Sequence, residues 1–111
     1  MSAVVTPLPL SEPRRLGLTV LVRGLEVQAA IGVYAHEHGR LQPLFVDVEL
    51  DLGVAPIRAL SDTLDYEGVA RIARELAGGE HVALVETFAE RVALACLDDH
   101  RVLAVKVRVE K

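Results

Sequence analysis

Three side chains in this sequence sit where acid–base or recognition chemistry could be done: Tyr66, Glu86 and Lys111. Glu86 falls in the first turn of a helix expected from about Ala83 to Asp98. The partial positive charge of a helix start favours a carboxylate there, and complementing that dipole is explanation enough for a lone acid. An ionised carboxylate can also accept two parallel hydrogen bonds from a flat, amidine-like edge, which makes it an anchor for a nitrogen heterocycle. Tyr66 follows Asp65, a plausible N-cap,. It reads either as an aromatic packed on a sheet or as a phenol presented at a helix start. Lys111 ends an alternating strand and shares the parity of Val105, Val107 and Val109,. A lysine that closes an apolar row either snorkels to water or is placed to move protons.

A fourth candidate, the carboxylate Glu37, lies between His36 and His38 in a polar loop over Ala35 to Pro43. His-Glu-His could touch a metal, but no H-x-x-x-H pair or cysteine cluster supports a metal site. Exposed loop side chains are the simpler reading. Neither a glycine-rich phosphate loop nor a G-x-S-x-G elbow occurs. The single cysteine, Cys96, excludes an internal disulfide and lies in an apolar stretch, which predicts a buried, unreactive thiol,.

The elements that must carry these groups can be read from periodicity. Leu18, Val20 and Val22 alternate with more polar neighbours and predict a strand that bends at Gly24,. A second extended piece, Val27 to Tyr34, reads as a bulged continuation. Val46, Val48, Leu50 and Leu52 alternate with Phe45, Asp47, Glu49 and Asp51, giving a strand with one buried and one mostly polar face,. Residues 53–65 connect this strand to a helix from Tyr66 to about Ala77, with Val69, Ile72, Ala73 and Leu76 on one stripe and Gly78-Gly79 as its stop,. The second helix carries an apolar face broad enough to meet both the sheet and the first helix. A strand from Val102 to Lys111 closes the chain. The order β-β-α-α-β predicts an α+β domain with two helices on one face of an antiparallel sheet.

Composition sets the class. One domain fits 111 residues, taken as 16–111 behind a flexible tail at 1–15,. Hydrophobic residues make up 51% with only 4% aromatic, more apolar side chain than so small a core absorbs, which predicts a subunit interface,. A net charge of −4 without a basic patch argues against nucleic acid,. No stretch approaches the roughly 20 apolar residues of a membrane span. The first residues lack a basic region and are interrupted by Pro7 and Pro9, so they do not read as a signal peptide, and a cytoplasmic protein is expected,.

Four stretches taken together resemble the dihydroneopterin aldolase family. They are I-G-V-Y-A-H-E-H over 31–38, D-T-L-D-Y over 62–66, L-V-E-T-F-A-E-R over 84–91 and V-R-V-E-K over 107–111. The resemblance covers residues 17–111 in matching order. It implies a tunnelling fold (T-fold), in which four subunits close their sheets into a barrel and two rings usually stack into a homo-octamer, with sites between neighbours. It implies that Glu86 anchors the pterin ring, with Val85 offering backbone contacts beside it. Tyr66 of the adjacent subunit approaches the reacting side chain, Glu37 is the loop carboxylate of the substrate pocket, and Lys111 works as acid and base. No metal or cofactor is implied. The substrate, 7,8-dihydroneopterin, carries a C6=N5 imine that can accept the electrons of the breaking side-chain bond, the task other aldolases give to a Schiff base or zinc. The products would be 6-hydroxymethyl-7,8-dihydropterin and glycolaldehyde.

Two departures accompany the resemblance. The family has Gly before the Gln of the first loop, where this chain has Leu41 before Gln42. The family also continues past the lysine with a Pro-rich loop and a final strand, which is expected to be missing here. Two other readings compete. One is an epimerase of the same fold acting at C2′ of dihydroneopterin or its triphosphate; a triphosphate would want more basic residues than Arg40 near the pocket mouth. The other is a non-catalytic, pterin-binding oligomer.

Overall fold

The computed structural model describes residues 2–7, 15–56 and 65–111. Two long strands form its centre, β2 (Arg15–Ala29) and β3 (Gln42–Pro56). They pair antiparallel from Arg15↔Pro56 to Ala29↔Gln42. The two extended pieces expected on either side of Gly24 are one strand with a bulge between Val22 and Leu25. Gly24 adopts φ 65°, a backbone conformation that side chains with a Cβ resist, and its N–H donates to Asp47 Oδ1 at 2.7 Å,. The extra residue inverts the alternation. Leu18, Val20 and Val22 point into the core before it, and Leu25, Val27 and Ala29 after it. The strand ends at Ala29 rather than running to Tyr34.

Strand β4 (Ala104–Glu110) pairs antiparallel with β3, from Asp51↔Ala104 to Phe45↔Glu110. Val105, Val107 and Val109 turn to the core side, as their parity predicted, and stay half-buried. Helices α1 (Tyr66–Ala77) and α2 (Val85–Leu97) cover that side of the sheet. Asp65 caps α1 as expected, its Oδ1 accepting from the Gly68 N–H at 2.9 Å, and Gly78 ends it. Helix α2 packs on both β4 and α1. Phe88, Val92 and Cys96 are its buried row, with Val69, Ala70 and Ala73 of α1 opposite. Burying a side chain of the Phe88 class contributes roughly 1.5–3 kcal/mol.

One expectation is corrected at the start of the chain. The sequence predicts residues 2–7 as part of a flexible tail, whereas they form strand β1 (Ser2–Pro7), paired antiparallel with β2 from Ser2↔Leu21 to Pro7↔Leu16. The physical reason is the outer edge of β2, whose backbone N–H and C=O groups gain partners when another strand lies beside it. The order is therefore β-β-β-α-α-β, and the four-stranded sheet runs β1-β2-β3-β4. The remainder of the expected tail, 8–14, and Asp62, Thr63 and Leu64 of the second motif lie outside the described residues. No helix among the described residues is long and apolar enough to cross a membrane.

Candidate active site

Beyond Ala29 the chain crosses to the start of α2 before returning in β3. In between, a single 3-10 turn at Ala35–Glu37 folds Glu37 inward. The loop was expected to be exposed, and Glu37 is the exception: it is the one buried charged side chain among the described residues, 5% exposed. Its burial is compensated by donors. Oε1 accepts from the Tyr34 N–H at 3.2 Å, and Oε2 accepts from Gln42 Nε2 at 2.8 Å. Lys111 Nζ donates to the same Oε2 at 2.5 Å, across 74 residues of sequence.

The floor under this carboxylate is Gly32. It adopts φ 133°, and a Cβ there would overlap the Glu37 carboxylate itself. Only glycine lets the chain turn while leaving room for the acid. Gln42 completes the pocket by donating also to the Ile31 carbonyl at 2.8 Å. These donors hold the Glu37 carboxyl down at about 2, the Gln42 amide first, then Lys111 and the Tyr34 N–H; desolvation opposes them and loses,. A carboxylate held so low is a poor proton acceptor near neutrality. What it does in the structure is hold the Lys111 ammonium. Lys111, with 43% of its side chain exposed, is the member of the pair that can meet a substrate.

The other expected residues stand at helix starts. Val85 is half-buried and Glu86 exposed in the first turn of α2. Leu84, at the N-cap, supplies no side-chain acceptor, so the first N–H groups of α2 are not capped by it,. Tyr66 opens α1, half-buried against the core. The structure thus brings Glu37 and Lys111 into contact and sets Val85 with Glu86, and Tyr66, on two separate helix starts. His36 stacks on Tyr34 with ring centroids 5.7 Å apart, and His38 stacks on His81 at 3.9 Å. Among the described residues no three His, Cys, Asp or Glu side chains converge as a metal site would need.

Three participants were not expected from sequence: Gly32, Gln42 in its donor role, and His81. Gly32 carried a signal, since a glycine inside an apolar extended piece marks a close approach. The other two act through contacts with distant residues.

Comparison with known proteins identifies the family. The profile of the family described as FolB, dihydroneopterin aldolase, matches residues 20–111. The chain is 39% identical over 95 residues to the dihydroneopterin aldolase of Streptomyces coelicolor, covering 83% of this chain and 80% of that one. It is 33% identical over 96 residues to the dihydroneopterin aldolase of Methylorubrum extorquens, covering 83% and 74%. A crystal structure of the Escherichia coli dihydroneopterin aldolase in complex with neopterin superposes with a TM-score of 0.71 at 29% identity, covering 82% of each chain. With two helices on one face of an antiparallel sheet, four motifs in order and a buried carboxylate gripping a lysine, this chain belongs to the dihydroneopterin aldolase family.

Proposed function

We propose that this chain, as a dihydroneopterin aldolase of folate biosynthesis, cleaves 7,8-dihydroneopterin with Lys111 as its acid–base group and Glu86 as the pterin anchor. The observation that carries the reading is the ion pair between the buried Glu37 and the half-exposed Lys111. Glu37 stays ionised and fixes the lysine nitrogen, so that nitrogen can exchange protons at a defined point. The substrate needs one proton removed from its 2′-hydroxyl and one delivered to N5. The bond between the first and second side-chain carbons then breaks, its electrons flow into the C6=N5 imine, and glycolaldehyde leaves; the enol left behind takes a proton at the first side-chain carbon as N5 gives its proton up, which restores the imine in the product. The imine is part of the substrate, so the protein has only to hold the ring and move protons.

Holding the ring falls to the start of α2. Glu86 faces solvent there with its carboxylate open to the 2-amino and N3–H edge of the pterin, and the backbone at Val85 lies beside it,. Tyr66 of a neighbouring copy is the phenol that approaches the side chain, which requires a homo-oligomer with sites between subunits. Exposed leucines at 94, 97 and 103 are consistent with such an interface,. A biosynthetic role of this kind goes with a cytoplasmic location.

The test is product analysis. The protein is incubated with 7,8-dihydroneopterin and a chelator, oxidised, and separated with fluorescence detection. Release of 6-hydroxymethylpterin is expected, and Lys111→Ala should lower turnover by about 100-fold or more while neopterin affinity changes little. No product, or equal loss of turnover and affinity in the variant, would overturn the assignment.

A further inference from the structure

Between the two halves of the candidate site runs a short seam of backbone hydrogen bonds. Val82 N–H donates to the Ala30 carbonyl at 2.9 Å, and Gly32 N–H donates to the Val82 carbonyl at 3.0 Å. Ile31 and Val82 form an isolated parallel bridge. One side of the seam leads directly into the loop that holds Glu37. The other leads within a few residues to Val85 and Glu86.

His81 stands at the end of this seam and grips the opposite loop at two points. Its Nε2 lies 2.7 Å from the Gly32 carbonyl oxygen. Facing an acceptor, that nitrogen carries the proton and donates. Its ring also stacks on His38, centroids 3.9 Å apart and planes 21° apart. Gly32 is the residue under the Glu37 carboxylate, and His38 follows Glu37 in the chain. Nδ1 of His81 is buried and has no hydrogen-bond partner among the described residues. Its ring is therefore held by the two contacts with the Glu37 loop. Stacked face to face, the two imidazoles cannot aim lone pairs at one ion, which argues against a metal pair.

We propose that His81 is a positioning residue, whose hydrogen bond to Gly32 and stack on His38 fix the Glu37–Lys111 pair relative to the start of α2. The reasoning is mechanical. Gly32 has no side chain to restrain its peptides, so the hydrogen bonds on them, that of Gln42 to the Ile31 carbonyl included, help to hold it at φ 133°,. Its N–H is held by Val82, and its carbonyl by His81. Releasing the carbonyl lets the floor beneath Glu37 turn, and Lys111 moves with the carboxylate it is bonded to. The ring anchor at Glu86 is on the other side of the seam and keeps its own geometry. A displacement of about 1 Å between reacting groups can lower a rate by roughly 100-fold.

This inference rests on the assignment of Lys111 and Glu86 above, so its test has one arm that does not need turnover. In the first arm, His81→Ala should lower kcat about 10-fold or more with the dissociation constant for neopterin within about twofold. His81→Gln should recover most of the loss, because its amide can donate to the Gly32 carbonyl from much the same place. Wild-type kcat in His81→Ala, loss of affinity in step with kcat, or a Gln variant no better than Ala would overturn the proposal. In the second arm, the Lys111 ammonium is observed by nitrogen-detected NMR in the substrate-free protein. Its signal, protected by the bond to Glu37, should persist in the wild type and in His81→Gln and vanish in His81→Ala. Persistence in all three would overturn the proposal. A wild-type protein that shows the signal but turns over no dihydroneopterin would instead remove the functional assignment and leave the clamp standing.

Discussion

The Glu37 carboxyl is held at about 2 against an ordinary value of 4.5, chiefly by the Gln42 amide, then by Lys111 and the Tyr34 N–H. The unfolded chain takes up this proton near 4.5, the folded protein only near 2. Between those values the unfolded state binds more protons, so stability rises with pH. The contribution is complete above about 4.5 and is lost as pH falls through about 2. Urea unfolding across pH 6 to 3 should therefore show a steeper acid loss for the wild type than for Glu37→Gln; superimposable slopes would refute it. Asp99 is also depressed to about 2, by its bonds to Arg101, but it contributes equally to both proteins and cancels. At this scale the sequence was informative about Lys111, because strand parity alone set it apart from Lys106 and Arg108 on the polar face,. It was uninformative about the burial of Glu37. The tripeptide His36-Glu37-His38 reads as a wet loop until Lys111 arrives from 74 residues away, and no local pattern encodes that contact.

Elements were legible where periodicity was strong and capping local. Helix α1 was read with its observed bounds, because Asp65, the 69–72–73–76 stripe and Gly78 act within a few residues of one another. Asp65→Ala removes the acceptor for the Gly68 N–H and should lower stability by about 1 kcal/mol, measured as a shift in the denaturant midpoint; no shift would mean that the bond contributes nothing,. The bulge in β2 was legible because Gly24 interrupts an alternation that resumes on the opposite parity. Strand β1 was not. Its sequence, SAVVTP, is short and borders prolines, and it becomes a strand by adding to the edge of β2. Pairing across a connection is a tertiary effect that overrides local preference.

Over the whole molecule, apolar side chain remains at the surface after the core is filled. Leu94, Leu97 and Leu103 are 55%, 41% and 67% exposed, and Phe45 lies 45% exposed on the mostly polar face of the sheet. The composition pointed to this surplus, but it could not say which faces would carry it. The sheet adds a second unsatisfied surface, since β1 and β4 are its outer strands,. The proposed homo-oligomer, with copies of the same chain placed edge to edge, is a reading that answers both features. Multi-angle light scattering should give a tetramer or octamer, and a monomer at micromolar concentration would undo the placement of Tyr66 in a neighbour's site.

Cys96 lies sealed in the row of α2 that meets the rest of the core, and burial pushes its thiol up to about 11. Thiolate is the form that oxidants and disulfides attack, and here it is both scarce and out of reach. In the folded protein this thiol is therefore closed to oxidants,. Oxidation at this sulfur requires α2 to lift from the core first. The same sealing keeps the chain's one thiol from linking two copies by a covalent bond, so any assembly that forms depends on surface fit alone.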